Sequence, residues 1–193
     1  MIYDLLNEKE KELTKRIILK KDEILFHEND TCKEIGIVTK GVISISSFTF
    51  QGKEIIYNTI TKGGIFGNNL LFSSEPTYKG NIISKVDSEI ILIDKLSLLK
   101  IFETNQEFLK EYLHIQSDFG KSLNNKIKVL SFYKGEDRFF YYLASHNNSV
   151  RFHSINELAN ELNMSREATS RMVNKLKNEG KIFIRNNQII LIE

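Results

Sequence analysis

The chain has 193 residues, 41% hydrophobic and 27% charged, proportions ordinary for a soluble globular protein. With 27 Lys and Arg against 25 Asp and Glu, the formal net charge is only +2; a global basic field is excluded, and any charge that meets nucleic acid must be local. One cysteine, Cys32, excludes an internal disulfide and suits a reducing compartment.

The N-terminus, MIYDLLNEKEKE, is acidic and basic by turns and lacks the apolar core of a signal peptide. No apolar run approaches membrane-spanning length. The expectation is a cytoplasmic protein without a membrane partner, built as one large or two small domains. From Ile17 to about Ile93 short β-rich runs alternate with turn residues. The runs include Ile24-Leu25-Phe26, Ile35 to Val38, Val42 to Ile45, Ile55-Ile56-Tyr57, Ile82-Ile83 and Ile90 to Ile93; among the breakers are Lys40-Gly41, Gln51-Gly52-Lys53 and Lys62-Gly63-Gly64. Such spacing predicts a sandwich, roll or barrel.

Asp94 is placed to cap a short helix over Leu96 to Phe102, and a longer proline-free helix is predicted from about Gln106 to Phe132. Within it Leu109, Leu113, Gln116, Gly120, Leu123, Ile127 and Leu130 alternate steps of four and three, the seam of a two-stranded coiled coil. A face buried against the β-region would give a similar stripe, so periodicity leaves both readings open. Lys134-Gly135-Glu136-Asp137 interrupts the helix; Gly135 reads as a left-handed hinge or as a plain helix C-cap. A further helix follows from Arg138 to Ser145, then a polar loop, His146 to Ser149.

The stretch Ser154 to Gly180 carries the strongest pattern. Ile155, Leu158, Ala159 and Leu162 fall at i, i+3, i+4 and i+7, one face of a helix. Ser154 with Glu157 reads as a capping box. Asn163 tolerates the left-handed conformation that a sharp turn needs. Ser165 can cap a second helix, in which Thr169, Met172, Val173 and Leu176 repeat the spacing before Gly180 ends it. This is the layout of a helix-turn-helix. The opposite face of the second helix carries Arg166, Glu167, Ser170, Arg171, Asn174 and Lys175. Arg is bidentate to guanine, Glu accepts from the cytosine amino group, and Ser, Asn and Lys reach bases or phosphates; a solvated helix face carries similar residues. Lys181 to Arg185 and Gln188 to Ile192 flank Asn186-Asn187 as a hairpin, and Val150-Arg151-Phe152 offers a third short strand.

Ser165-Arg166-Glu167 with Ser170-Arg171, at the end of a chain of this length, resembles the recognition helix of the Crp/Fnr transcription regulators. The phrase from Phe26 to Ile45, FHENDTCKEIGIVTKGVISI, is similar to the opening of their cyclic-nucleotide-binding β-roll, with Gly41 as turn glycine and Gly67 opening a short helix. The resemblance implies an α+β fold. A double-stranded, jelly-roll-like β-roll would occupy residues 1–104, a dimerisation helix 105–134 and a winged helix-turn-helix 135–193. It implies a homodimer on a near-palindromic site in double-stranded DNA, with TGTGA- or TTGAT-like half-sites, and RNA polymerase as a partner. Arg166 and Arg171 would read guanine and Glu167 cytosine, with Ser170 close enough to add a contact. Lys175, Lys177, and Lys181 or Arg185 of the wing would hold phosphate.

Members that bind cyclic AMP hold it with a glycine-glutamate opening and a downstream arginine, and present hydroxyls from the long helix. Here Gly67-Asn68-Asn69 and Tyr78-Lys79 stand at the first two places and Leu123-Asn124 at the third. Asn68 for the acid and Tyr78 for the guanidinium remove two charge-assisted contacts, each worth roughly 1.5–3 kcal/mol. Lys79 next door lacks the bidentate fork. These residues therefore outline a degenerate effector pocket, not controlled by cyclic AMP, and an effector, if any, is not named by the sequence. Cys32 alone cannot hold an iron–sulfur cluster. His27 is the only histidine in the roll and reads as a strand-edge residue, and no cluster of His and carboxylates suggests a metal enzyme. Neither cofactor nor catalytic activity is expected. The rival reading is a small-molecule-binding or assembly roll whose helical tail does not touch DNA.

Overall fold

The computed structural model describes residues 1–192; Glu193, the last residue of the expected winged region, lies outside the described residues. Two compact units divide the chain, Met1–Ser117 and Asp118 onward. In the first, a helical turn over Ile2–Leu5 and α1 (Glu8–Lys11) precede the roll. Asn7 and Glu10 close α1 reciprocally, each side chain accepting from the other's backbone N–H at 3.0 Å.

Eight strands follow: β1 (Lys15–Leu19), β2 (Ile24–Phe26), β3 (Glu34–Lys40), β4 (Val42–Phe48), β5 (Glu54–Thr61), β6 (Ile65–Phe66), β7 (Asn81–Ser84) and β8 (Ser88–Asp94). They pair antiparallel into two four-stranded sheets, ordered β1-β8-β3-β6 and β2-β7-β4-β5. The β-branched runs suit a pleated surface buried on one face. Ile35, Ile37 and Ile90 of one sheet join Ile43 and Ile82 of the other in one core, all 0–1% exposed. β5 is the exception: Ile55, Ile56 and Tyr57 are exposed.

Asp94 caps α2 (Lys95–Thr104), its carboxylate accepting from Leu96 and Ser97 backbone N–H groups at 2.9 and 3.1 Å. The long helix α3 spans Gln106–Ser131. Its first turns face the roll through Phe108 and Tyr112, while Leu113, Leu123, Ile127 and Leu130 of the expected seam are exposed. Gln116, placed on that seam by periodicity, is drawn to the roll instead, because its amide finds a buried polar partner there.

In the second unit α4 (Gly135–Ser145), β9 (Ser149–Arg151), α5 (Ile155–Leu162), α6 (Arg166–Asn178), β10 (Ile182–Arg185) and β11 (Gln188–Leu191) surround a separate core. The three strands form one sheet, β10-β11-β9. Asn186 and Asn187, at φ 48° and 58°, make the two-residue turn whose left-handed residues match strand twist. Asn163 at φ 49° ends α5. α6 closes on Gly180 at φ +70°, where Gly180 N–H donates to Lys177 O at 3.1 Å and Lys181 N–H to Leu176 O at 3.0 Å. This is the paired Schellman closure.

Two local expectations are corrected. Ser154 does accept from Glu157 N–H at 3.2 Å, but Glu157 reaches back to the backbone N–H of His153 at 2.7 Å, one residue before the cap. Gly135 is neither a left-handed hinge nor a C-cap; it opens α4, with Lys134 as N-cap. A Cβ there would come within 2.6 Å of Met164 Cε, so a side chain at this position would have to push the end of Met164 aside.

Thr169, 0% exposed, has a side-chain hydroxyl with no hydrogen-bond partner among the described residues. An unsatisfied buried hydroxyl costs about 1–3 kcal/mol, and a same-shaped apolar group removes that cost. Thr169→Val is expected to raise the melting temperature by a few degrees, measured by calorimetry; an unchanged or lower value would show that the hydroxyl is satisfied in solution.

Candidate nucleic-acid interface and effector niche

One side of α6 is closed. Thr169, Met172, Val173 and Leu176 are 0–7% exposed and join Leu158, Leu162, Phe139 and Leu143 in the core. Burying each large side chain contributes about 1.5–3 kcal/mol, which fixes the helix about its axis. The opposite side must then face solvent. Arg166, Glu167, Arg171, Asn174, Lys175 and Lys177 are exposed and Ser170 half-buried. Ser165 starts the helix by accepting from Ala168 N–H at 3.2 Å, so Arg166 and Glu167 occupy its first turn. Arg166, Glu167, Ser170 and Arg171 together line one shallow surface depression.

The cations are not equivalent. Lys175 Nζ lies 2.6 Å from Glu136 Oε1 of α4 and 3.8 Å from Glu179, and the Glu136 bond raises its pKa. Lys181 pairs with Glu179 at 2.8 Å, which lowers the Glu179 carboxyl. Two of the expected phosphate holders are thus neutralised within the chain. Lys177 and Arg185, at the end of the hairpin's first strand, are exposed.

The residues expected to form an effector pocket differ in burial. Gly67, at φ +76°, starts a turn held by Leu70 and Leu71 N–H groups on Gly67 O at 3.0 and 2.9 Å, not the short helix expected. Asn68 is 7% exposed. Its Nδ2 donates to Gln116 Oε1 at 2.8 Å, while Gln116 Nε2 and Tyr112 Oη donate to Asn68 O at 2.7 and 3.1 Å. Tyr78 is not a pocket wall but a core residue, 1% exposed. It stacks on Phe26 at 4.8 Å and donates to Glu34 O at 3.4 Å; burial pushes its phenol pKa up. Asn69 and Lys79 are exposed, and Lys79 donates to Thr77 Oγ1 at 3.0 Å. Leu123 and Asn124 belong to the second unit and are exposed.

Three residues have partners here that the sequence did not show. Gln116 completes the amide pair, Glu136 holds Lys175, and Arg138 donates to the backbone carbonyls of Phe132, Leu162 and Asn163. Gln116 stands out in the sequence as the polar residue that weakens the apolar seam, but its pairing with Asn68 does not. The other two make contacts across 39 and 25 residues of chain, which no local pattern encodes. Among the described residues, no group of three His, Cys, Asp or Glu could hold a metal, and no helix is long and apolar enough to cross a membrane.

Residues 16–105 match the model of the cyclic nucleotide-binding domain family. The anaerobic regulatory protein of Bacillus subtilis (strain 168) is 27% identical over 185 residues, 90% of this chain and 78% of the relative. Two solved structures share the fold. The c-di-GMP responsive global regulator CLP of Xanthomonas campestris is 22% identical, covering 96% of this chain and 97% of its own, with a TM-score of 0.60. A CooA mutant from Carboxydothermus hydrogenoformans is 18% identical, covering 97% and 88%, with a TM-score of 0.69. The fold they share with this chain is a roll of the cyclic nucleotide-binding type in the first unit and a winged helix-turn-helix in the second. In sequence and fold the chain is similar to these proteins.

Cys32, 2% exposed, sits at the niche with its Sγ 3.4 Å from Glu34 O and 3.7 Å from Gly67 O. Burial raises its thiol pKa. Since the thiolate is the reactive form, alkylation of Cys32 at neutral pH is expected to be about tenfold or more slower in the folded protein than in urea. Equal rates would show that the niche is open.

Proposed function

We propose that the chain is a sequence-specific DNA-binding transcription regulator that works as a homodimer in the cytoplasm. Residues 1–104 serve as the sensor-type roll, 105–134 as the dimerisation helix and 135–193 as the DNA-binding part. The observation that carries this reading is the outward face of α6, with Arg166, Glu167, Ser170 and Arg171 on one side and a closed apolar stripe on the other. Exposed Leu113, Leu123, Ile127 and Leu130 on α3 supply the apolar stripe that pairing would bury. Two paired chains would put their α6 helices in successive major grooves of a near-palindrome, about one helical turn apart. Arg166 and Arg171 then read guanine, Glu167 and Ser170 the neighbouring pairs, and Asn174, Lys177 and Arg185 bind backbone. RNA polymerase is the natural downstream partner of such a regulator.

The roll is read as unresponsive to cyclic AMP. Asn68 is already bonded to Gln116, and Tyr78 is packed in the interior, so neither can take a phosphate or a ribose without breaking contacts. Titration calorimetry with cyclic AMP and cyclic GMP is expected to give no binding at micromolar concentration; a saturable heat there would overturn this part of the reading.

Retardation of promoter fragments without added ligand tests DNA binding itself. Its absence, with and without cell extract, would favour the assembly reading. Glu167→Ala should relax specificity at one base pair at a cost of about 1–3 kcal/mol, whereas Lys177→Ala should weaken all sequences alike and flatten the salt slope. Identical behaviour of the two on matched and mismatched sites would refute the roles. Glu136→Ala should release Lys175, tighten binding to any duplex and steepen the logarithmic salt slope by about 1; an unchanged slope would mean that Lys175 never meets phosphate.

A further inference from the structure

Three carbonyl oxygens left over at helix ends converge on one side chain. α3 stops at Ser131 and leaves the Phe132 carbonyl beyond its last turn; α5 stops at left-handed Asn163 and leaves the carbonyls of Leu162 and Asn163. Arg138, in the first turns of α4, donates from Nε to Phe132 O at 2.8 Å, and from Nη1 to Leu162 O at 3.3 Å and Asn163 O at 3.2 Å. Both ends are the negative poles of their helices, where a cation is favoured. One planar guanidinium spans both ends with donors fixed in a fork, where an ammonium offers a compact point charge on a flexible stem.

The position of these bonds gives them their consequence. Phe132, Tyr133 and Lys134 are the only residues between α3 and α4, and Tyr133 is 98% exposed. Phe132 packs on Tyr141 at 5.2 Å and Lys128 lies over the same ring at 5.6 Å. These apolar and cation–π contacts hold the two helices side by side but leave the connection itself short and its Tyr133 uncovered. The Arg138 bonds fasten the end of α3 to the turn that leads directly into α6. Gly135 supports the same junction by letting Met164 of that turn pack against the start of α4.

We propose that Arg138 is a positioning residue that sets the angle between the distal half of α3 and the recognition helix, and thereby the half-site separation that the dimer accepts. The second part rests on the DNA-binding reading above. Each added base pair displaces a half-site by about 3.4 Å and about a tenth of a turn. A rigid joint rejects such a change and a loose one absorbs it.

The test compares the full chain with Arg138→Gln and Arg138→Lys. Spin labels at Lys121→Cys and Asn174→Cys, on one labelled chain diluted into unlabelled chains, read the α3–α6 distance distribution without DNA. The distribution is expected to broaden clearly in Arg138→Gln and partly in Arg138→Lys, with cooperative melting retained in both. On duplexes whose half-site separation is changed by one base pair, the unsubstituted protein should lose about tenfold or more in affinity, and Arg138→Gln no more than about threefold. An unchanged distance distribution overturns the proposal, as does an equal loss of affinity at every separation with single half-sites equally weakened. Broadening without binding of any duplex, even by the unsubstituted protein, would uphold the joint and refute the DNA-binding reading and the half-site consequence with it.

Discussion

The packing of Met172, Val173 and Leu176 with Leu158 and Leu162 fixes the rotation of α6 and so the direction of each polar side chain it carries. A helix has no inside until something covers it, and here α4, α5 and the small sheet supply the cover. Three separate closures hold α6 in that place: Ser165 at its start, the left-handed Asn163 before it and the Gly180 closure after it. Each is worth on the order of 1 kcal/mol, less than the burial itself. They settle where the helix begins and ends, and burial settles which way it faces.

α3 answers two demands at once. Phe108 and Tyr112 are spent on the roll, while Leu113, Leu123, Ile127 and Leu130 stay exposed. Gln116 lies between the two and turns inward, because Asn68 offers both a donor and an acceptor in a place shielded from water. Reciprocal amide bonds of that kind leave little polar capacity unused, and an unsatisfied buried amide would cost more than an apolar pair gains.

The sequence makes the elements that rest on local rules legible. Alternating turn and β-branched runs gave the roll, and the two i, i+3, i+4, i+7 stripes with Ser, Asn and Gly at the joints gave the helix-turn-helix. The outward face of α6 followed from its inward one. What failed to show depends on partners distant in sequence. Gly135 reads as a hinge because glycine between helices usually is one; instead it opens α4 and packs against Met164, far along the chain. Lys175 sat among cations suited to phosphate, yet its neighbour in space is Glu136. Tyr78 was placed on a pocket wall by analogy, and only the stacked ring of Phe26 shows that it belongs to the core. Cap, turn and stripe are short-range signals, whereas ion pairs and niche contacts are decided by the tertiary fold.

The amide pair of Asn68 and Gln116 carries a consequence for how such a protein could be governed. A ligand that used the Asn68 amide nitrogen or the Gln116 amide would first have to displace the bonds these groups make within the roll. Were no ligand to act there, control would pass from chemistry to arithmetic. If two chains must meet before either holds DNA, the paired species rises with the square of chain abundance while pairing is weak. Synthesis and degradation would turn the output up or down more steeply than either changes alone.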